Sequence, residues 1–136
     1  MKVLIDTNVV IDYLADRMPF ADHAEQLLEL CDQGTITGII TTNAITDIYY
    51  VVRKVAGKEK TLESLRTLCS VLEIADVGKS DVLGAMELDI PDFEDALVAQ
   101  CAKKVKAECI VTRNTSDFKS SPVPAKEPAA LLKQLA

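Results

Sequence analysis

Apolar and polar positions alternate along this chain in two rhythms, short apolar runs and longer helical stripes. Lys2 to Ile5 is a short apolar run closed by Asp6, which reads as a first strand. From Asn8 to Asp16 the apolar residues Val9, Val10, Tyr13 and Leu14 fall at helical spacing. Pro19 can open a second helix, because the first helical position has no use for its missing N–H. That helix carries Ala21, Ala24, Leu27, Leu28 and Cys31 on one side and stops at Gly34. Thr35 to Ile40 is β-branched and reads as a second strand. Thr41, Thr42 or Asn43 can cap a third helix that runs to about Val55, before Gly57. Lys58 to Leu72 predicts a fourth helix, Ile74 to Val77 a third strand and Ser80 to Leu88 a fifth helix. Pro91 interrupts the chain, and Asp92 begins a sixth helix reaching about Lys106. Glu108 to Thr112 is a fourth strand and Arg113 to Phe118 a loop. Ser120 to Pro128 is rich in proline, with a minor strand near Val123, and Leu131 to Leu135 forms a last helical turn or two.

Strands that alternate with helices predict a parallel sheet covered on both faces. The expected fold is therefore a three-layer α/β/α domain with four or five short strands, a single domain over residues 1–136. Apolar residues make up 49 % of the chain, enough to exclude a disordered protein, and aromatics only 4 %, so the core must be aliphatic. No apolar run approaches the roughly 18 residues of a membrane span. Asp6 interrupts the N-terminal apolar segment, which is read as a strand and not as a signal peptide. The cysteines Cys31, Cys69, Cys101 and Cys109 form no C-x-x-C pair and lie far in sequence from the single histidine, His23. They are expected to be small buried hydrophobes in a reducing cytoplasm, not zinc ligands.

A net charge of −6 argues against a protein that coats nucleic acid by neutralising phosphates. It argues less against a nuclease whose metal ions supply the positive charge. The acids are unevenly placed: Asp6 follows the first strand directly, and Asp117 lies in the loop after the fourth. Ligands of open parallel sheets bind beyond the carboxyl ends of the strands, so both acids are placed for chemistry. Asp47 lies one turn into the third helix among Ile45, Ile48, Tyr49, Val51, Val52 and Val55, a setting that predicts partial burial. A buried carboxylate needs a partner or a metal. In Asp92-Phe93-Glu94-Asp95, Asp92 fits a helix cap, Glu94 is expected to face solvent, and spacing leaves the role of Asp95 open. Carboxylates that converge raise one another's pKa, and a hard divalent cation relieves that cost. Such a cation, with its activated water, is the usual equipment for phosphodiester hydrolysis. One histidine supplies no acid–base pair, and no Gly-rich phosphate loop or G-x-S-x-G motif is present.

VLIDTNVVIDYL, TTNAITDIYYVVRK and DFEDALVAQCAKKVKAECIVTRNTSDF together resemble the ordered motifs of the PIN-domain ribonucleases, and among them the VapC-like toxins of prokaryotic toxin–antitoxin systems. The resemblance runs from residue 1 to about 118. It implies catalytic carboxylates at Asp6, Asp47, Asp95 and Asp117, with Asp6, Asp95 and Asp117 as metal ligands and polar support from Thr7, Asn8, Thr112 and Asn114. It implies Mg²⁺, with Mn²⁺ able to substitute, an RNA substrate, a cognate antitoxin, a homodimer and no membrane association. The chain departs from many relatives in having Asp47 for Glu and Asn114 for Asp. Arg53, Lys54 and Arg113 are the candidate RNA contacts. A PIN domain in housekeeping RNA processing and a catalytically weak PIN-fold binding module are the alternatives. A phosphatase of the haloacid dehalogenase type expects D-x-D after the first strand, where this chain has Asp6-Thr7-Asn8. A response-regulator receiver expects an acidic pair there and a late lysine after a strand, and neither is evident.

Overall fold

A computed structural model describes all residues, 1–136. The elements run β1 (Lys2–Ile5), α1 (Thr7–Leu14), α2 (Ala21–Asp32), β2 (Thr37–Thr41), α3 (Thr42–Ala56), α4 (Lys58–Val71) and β3 (Glu73–Ala75). They continue with α5 (Lys79–Met86), α6 (Phe93–Lys104), β4 (Cys109–Val111), a 3-10 turn (Thr115–Phe118), β5 (Ala125–Lys126) and α7 (Pro128–Leu135). The strands form one parallel sheet of five in the order β3-β2-β1-β4-β5. β1 is central, with Leu4 paired to Ile39 of β2 and to Ile110 of β4. The chain winds outward from β1 in both directions, so the winding reverses between β1 and β4.

β1 shows why both faces are covered. Val3 and Ile5 enter one apolar cluster with Val9, Leu27, Ile48, Leu65 and Leu131, and Leu4 enters the other with Leu97, Ala99 and Ile110. Alternate side chains of a strand leave opposite faces, so an unbroken apolar run serves a sheet buried on both. The first cluster is covered by α1, α2, α3, α4 and α7, the second by α5 and α6. Gly38 in β2 allows close packing at the first face: a Cβ there would stand 2.6 Å from Cys31 Sγ and 2.7 Å from Leu72 Cδ2.

The predicted three-layer fold is the observed one, and several details differ. Pro19 lies in a turn, and α2 begins at Ala21. The minor strand is Ala125–Lys126, just beyond Val123. α7 opens at Pro128 instead of Leu131, using proline at the helix start, where it costs no hydrogen bond. Cys31, Cys101 and Cys109 are buried, but Cys69, near the end of α4, is exposed. No helix is long and apolar enough to cross a membrane.

Candidate metal site at the carboxyl edge of the sheet

The reversal between β1 and β4 opens a crevice beyond their carboxyl ends, where ligands of such sheets bind. Asp6 stands there. Its backbone N–H donates to Val111 O at 2.9 Å, which carries the β1–β4 ladder one residue past the strand. Its side chain caps α1, with Oδ1 accepting from Thr7 N at 2.8 Å. Oδ2 accepts from Thr112 Oγ1 at 2.8 Å and from Asn8 Nδ2 at 3.4 Å. Thr112 is fully buried, and its hydroxyl accepts from Asn114 N at 3.1 Å. That bond and the hydroxyl's own donation to Asp6 fix its orientation. Asp6 thus caps α1 with one carboxylate oxygen and faces the cleft at the same time.

The other acids arrive from separate elements. Asp47 comes from α3, Asp95 from the first turn of α6, and Asp117 from the 3-10 turn. Asp92 caps α6, accepting from Asp95 N at 3.0 Å as its spacing predicts. Asp6, Thr7, Asn8, Asp47, Asp95, Asn114 and Asp117 all line one cleft of about 490 Å³. An adjoining hollow of about 510 Å³ shares Asp92, Asp95 and Asp117 and adds Asp89 and Lys119.

One expectation changes. Asp47 is exposed, because α3 buries only Ala44, Ile48 and Val52 and leaves Tyr50 and Val55 in solvent. Its apolar neighbours in sequence do not surround it. Glu94 is exposed, as expected, and the solvent it faces includes the acidic cleft, a role its spacing did not reveal. The D-F-E-D run, three acids within one turn of a helix that starts at this edge, was the available signal.

The electrostatics record the crowding. Burial pushes the Asp6 carboxyl up and the nearby Asp117 adds to this, while the bonds from Thr112 and Thr7 pull it back. Asp95 is raised to about 6, first by desolvation and then by the charges of Asp92, Asp6 and Asp117. Glu94 is raised to about 7 by desolvation, by the hydrogen bond its protonated carboxyl can donate to Asp47 and by that residue's charge, and by the charges of Asp92 and Asp6.

The donor set is all oxygen, which suits a hard divalent cation. No three acids are drawn together into a closed cage. Asn8 Oδ1 is buried beside these acids without a partner, and a water carried by a cation could donate to it.

Arg113 is committed elsewhere. Its Nε donates to Asp12 Oδ2 at 2.6 Å and its Nη2 to Asp12 Oδ1 at 3.2 Å, and its guanidinium lies 4.3 Å from the centre of the Phe20 ring. Asp12 is only 1 % exposed. As an RNA contact, Arg113 therefore offers a largely neutralised charge. Arg53 and Lys54 remain exposed at the end of α3, with Arg53 5.9 Å from the Tyr49 ring centre. Sequence reasoning missed Asp12, since nothing local distinguishes it from a solvated acid on a helix.

A parallel sheet wound both ways from β1, with carboxylates of four elements gathered beyond its central strands, defines a doubly wound α/β domain with an acid-lined edge. The PIN domain family model matches residues 2–116, and the chain belongs to that family. It is similar to Ribonuclease VapC1 of Aquifex aeolicus, 29 % identical over 122 residues that cover 86 % of this chain and 84 % of the relative. Its fold is similar to a chain of VapBC2 from Rickettsia felis, solved bound to a promoter DNA fragment, with a TM-score of 0.72 and 25 % identity over 93 % of this chain and 98 % of that one. DNA-bound VapBC from Salmonella typhimurium gives the same TM-score of 0.72 at 17 % identity, covering 94 % and 98 % of the two chains.

Proposed function

We propose that this protein is a metal-dependent endoribonuclease of the VapC toxin type, acting in the cytoplasm. The observation that carries the proposal is the cleft itself: Asp6, Asp47, Asp95 and Asp117 face one space, with Asp6 oriented by Thr112 and Thr7. The likeness to a ribonuclease along most of both chains supports RNA as the substrate.

Asp6, Asp95 and Asp117 would hold Mg²⁺, with Mn²⁺ as a substitute. The bound ion supplies an activated water and neutralises charge on the phosphate. The residues of the chain do the rest. The Asn114–Thr112–Asp6 bonds hold one carboxylate at the centre of the cleft before metal arrives. Asp47, exposed at the same cleft, would complete the site or orient the attacking water. Glu94, raised to about 7, can carry a proton near neutrality in the metal-free protein and so limits the repulsion that Asp47 feels.

The VapBC likenesses support an antitoxin partner and, with the family expectation, a homodimer. The deciding experiment is cleavage of single-stranded RNA by purified protein with Mg²⁺, with Mn²⁺ and with EDTA. Cleavage that EDTA abolishes and either metal restores is expected; no cleavage of any RNA with either metal would refute the reading.

A further inference from the structure

On the α1–α2 side of the loop after β4, the carboxyl edge carries a second kind of hollow, of about 270 Å³. Its walls include Asp12, Phe20, His23, Arg113 and Glu127. Unlike the acidic cleft it contains a guanidinium seated over an aromatic ring. The Arg113 guanidinium lies 4.3 Å from the Phe20 ring centre, and the bidentate bond to Asp12 prevents it from swinging away. Phe20 is nevertheless 41 % exposed, so the pair is open to a further planar group. Arg113 directly follows Thr112, whose hydroxyl bonds Asp6, so this hollow and the acidic cleft share one short loop.

We propose that this hollow binds one nucleobase of the single-stranded RNA substrate, beside the phosphate held at the acids. The inference rests on the endoribonuclease reading above and gives it a means of reading sequence. Proteins recognise unpaired RNA by stacking its bases on aromatic rings and arginine planes, and this pair offers both. The volume lies just under the roughly 300 Å³ at which pockets for drug-sized ligands begin, so it suits a fragment such as one base. Glu127 is exposed at the rim and can accept from an exocyclic amino group. That favours guanine, adenine or cytosine over uracil. The loop after β4 lines the hollow with Arg113 and the acidic cleft with Asn114 and Asp117, a continuity that favours a neighbouring nucleotide of the same RNA over a side chain of a protein partner.

His23 is the only histidine of the chain and lines the hollow, so its ring signal in NMR is an unambiguous reporter. The protein, with Ca²⁺ in place of Mg²⁺, is titrated with a short single-stranded RNA of mixed sequence, intact and with one abasic position moved along it. Intact RNA should shift the His23 signal, and one abasic position should remove that shift. Phe20→Leu should weaken RNA affinity about tenfold, within the 1–3 kcal/mol typical of a stacked base, and leave Mg²⁺ affinity unchanged. Phe20→Trp should keep the RNA affinity, which separates stacking from mere structure. The abasic RNA should bind Phe20→Leu no more weakly than it binds the parent protein. RNA that binds without moving His23, or that binds Phe20→Leu as tightly as the parent, would overturn the proposal, leave the hollow to a protein partner and spare the endoribonuclease reading. If no RNA is bound or cut, both fall together.

Discussion

Asp12 in α1 and Arg113 in the loop after β4 are 101 residues apart in sequence and joined by two hydrogen bonds, of 2.6 and 3.2 Å. The pair ties the loop that carries Thr112, Asn114 and Asp117 to the helix that Asp6 caps. Its two members are unequally covered, with side chains 1 % exposed for Asp12 and 26 % for Arg113. Arg113→Ala strands a buried carboxylate, which typically costs about 3–5 kcal/mol. Asp12→Asn leaves a guanidinium that already reaches water and keeps an acceptor beside it, so it should cost less. Denaturant unfolding of both variants checks the order, and equal or reversed losses would show that Asp12 finds another partner.

Asp6→Asn and Asp95→Asn should each abolish RNA cleavage while leaving the fold intact. Each removes a charged ligand and keeps the side-chain volume. In the metal-free protein each also removes a negative charge from a crowded cleft, so Asp95→Asn should melt level or higher, while Asp6→Asn, which also loses an acceptor for Thr112 and Asn8, should melt level or slightly lower. Melts without metal, paired with cleavage assays, test this. Strong destabilisation of either variant would make that residue structural.

The metal-free protein should lose stability as pH rises from about 5 to 7.5. Asp95 and Glu94 have folded-state values raised to about 6 and about 7, from ordinary values of 3.8 and 4.5. Between these limits the folded state binds more protons than the unfolded one, and stability then falls with rising pH. The penalty is absent below the ordinary values and complete above the raised ones. Saturating Mg²⁺ binds the deprotonated acids and should flatten or reverse the slope. A set of melts across this range with and without Mg²⁺ is sufficient, and a metal-free stability that rises with pH would contradict the crowding.

The fold was legible because the β1, β2 and β4 segments are apolar runs and the helices carry regular stripes, signals that survive without tertiary information. Asp6 and Asp117 were legible for the same reason, since each follows a strand whose carboxyl end marks the ligand edge. Glu94 and Asp12 were not. Whether an acid on a helix meets solvent, a cleft or an arginine 101 residues away depends on what packs across from it. Asp47 failed in the opposite sense: Ile48 and Val52 turn into the core while Asp47, Tyr50 and Val55 face outward, so apolar sequence around it did not mean burial. The α7 start was missed because proline was taken as a sign of irregular chain, although Pro128 opens the helix.

With Arg113 engaged by Asp12, the rim that guides RNA should reduce to Arg53 and Lys54. Both are exposed at the end of α3, the helix that also presents Asp47 to the cleft, so a strand crossing the acids can reach them. An acidic chain of net charge −6 repels RNA as a whole, which makes a few local cations and the bound metal the sources of electrostatic attraction for its phosphates. Each phosphate contact to single-stranded RNA contributes a slope of about −0.7 to the dependence of log affinity on log salt. Arg53→Gln with Lys54→Gln should therefore reduce the magnitude of the slope by roughly 0.7 to 1.4 and weaken binding alike across sequences. Arg113→Gln should change the slope much less while lowering stability, because its charge is already balanced. The measurement is RNA affinity against salt in an Asp95→Asn background with Ca²⁺. If the Arg53 and Lys54 changes leave both slope and affinity untouched, these residues are ordinary surface charges and the metal alone attracts the phosphate.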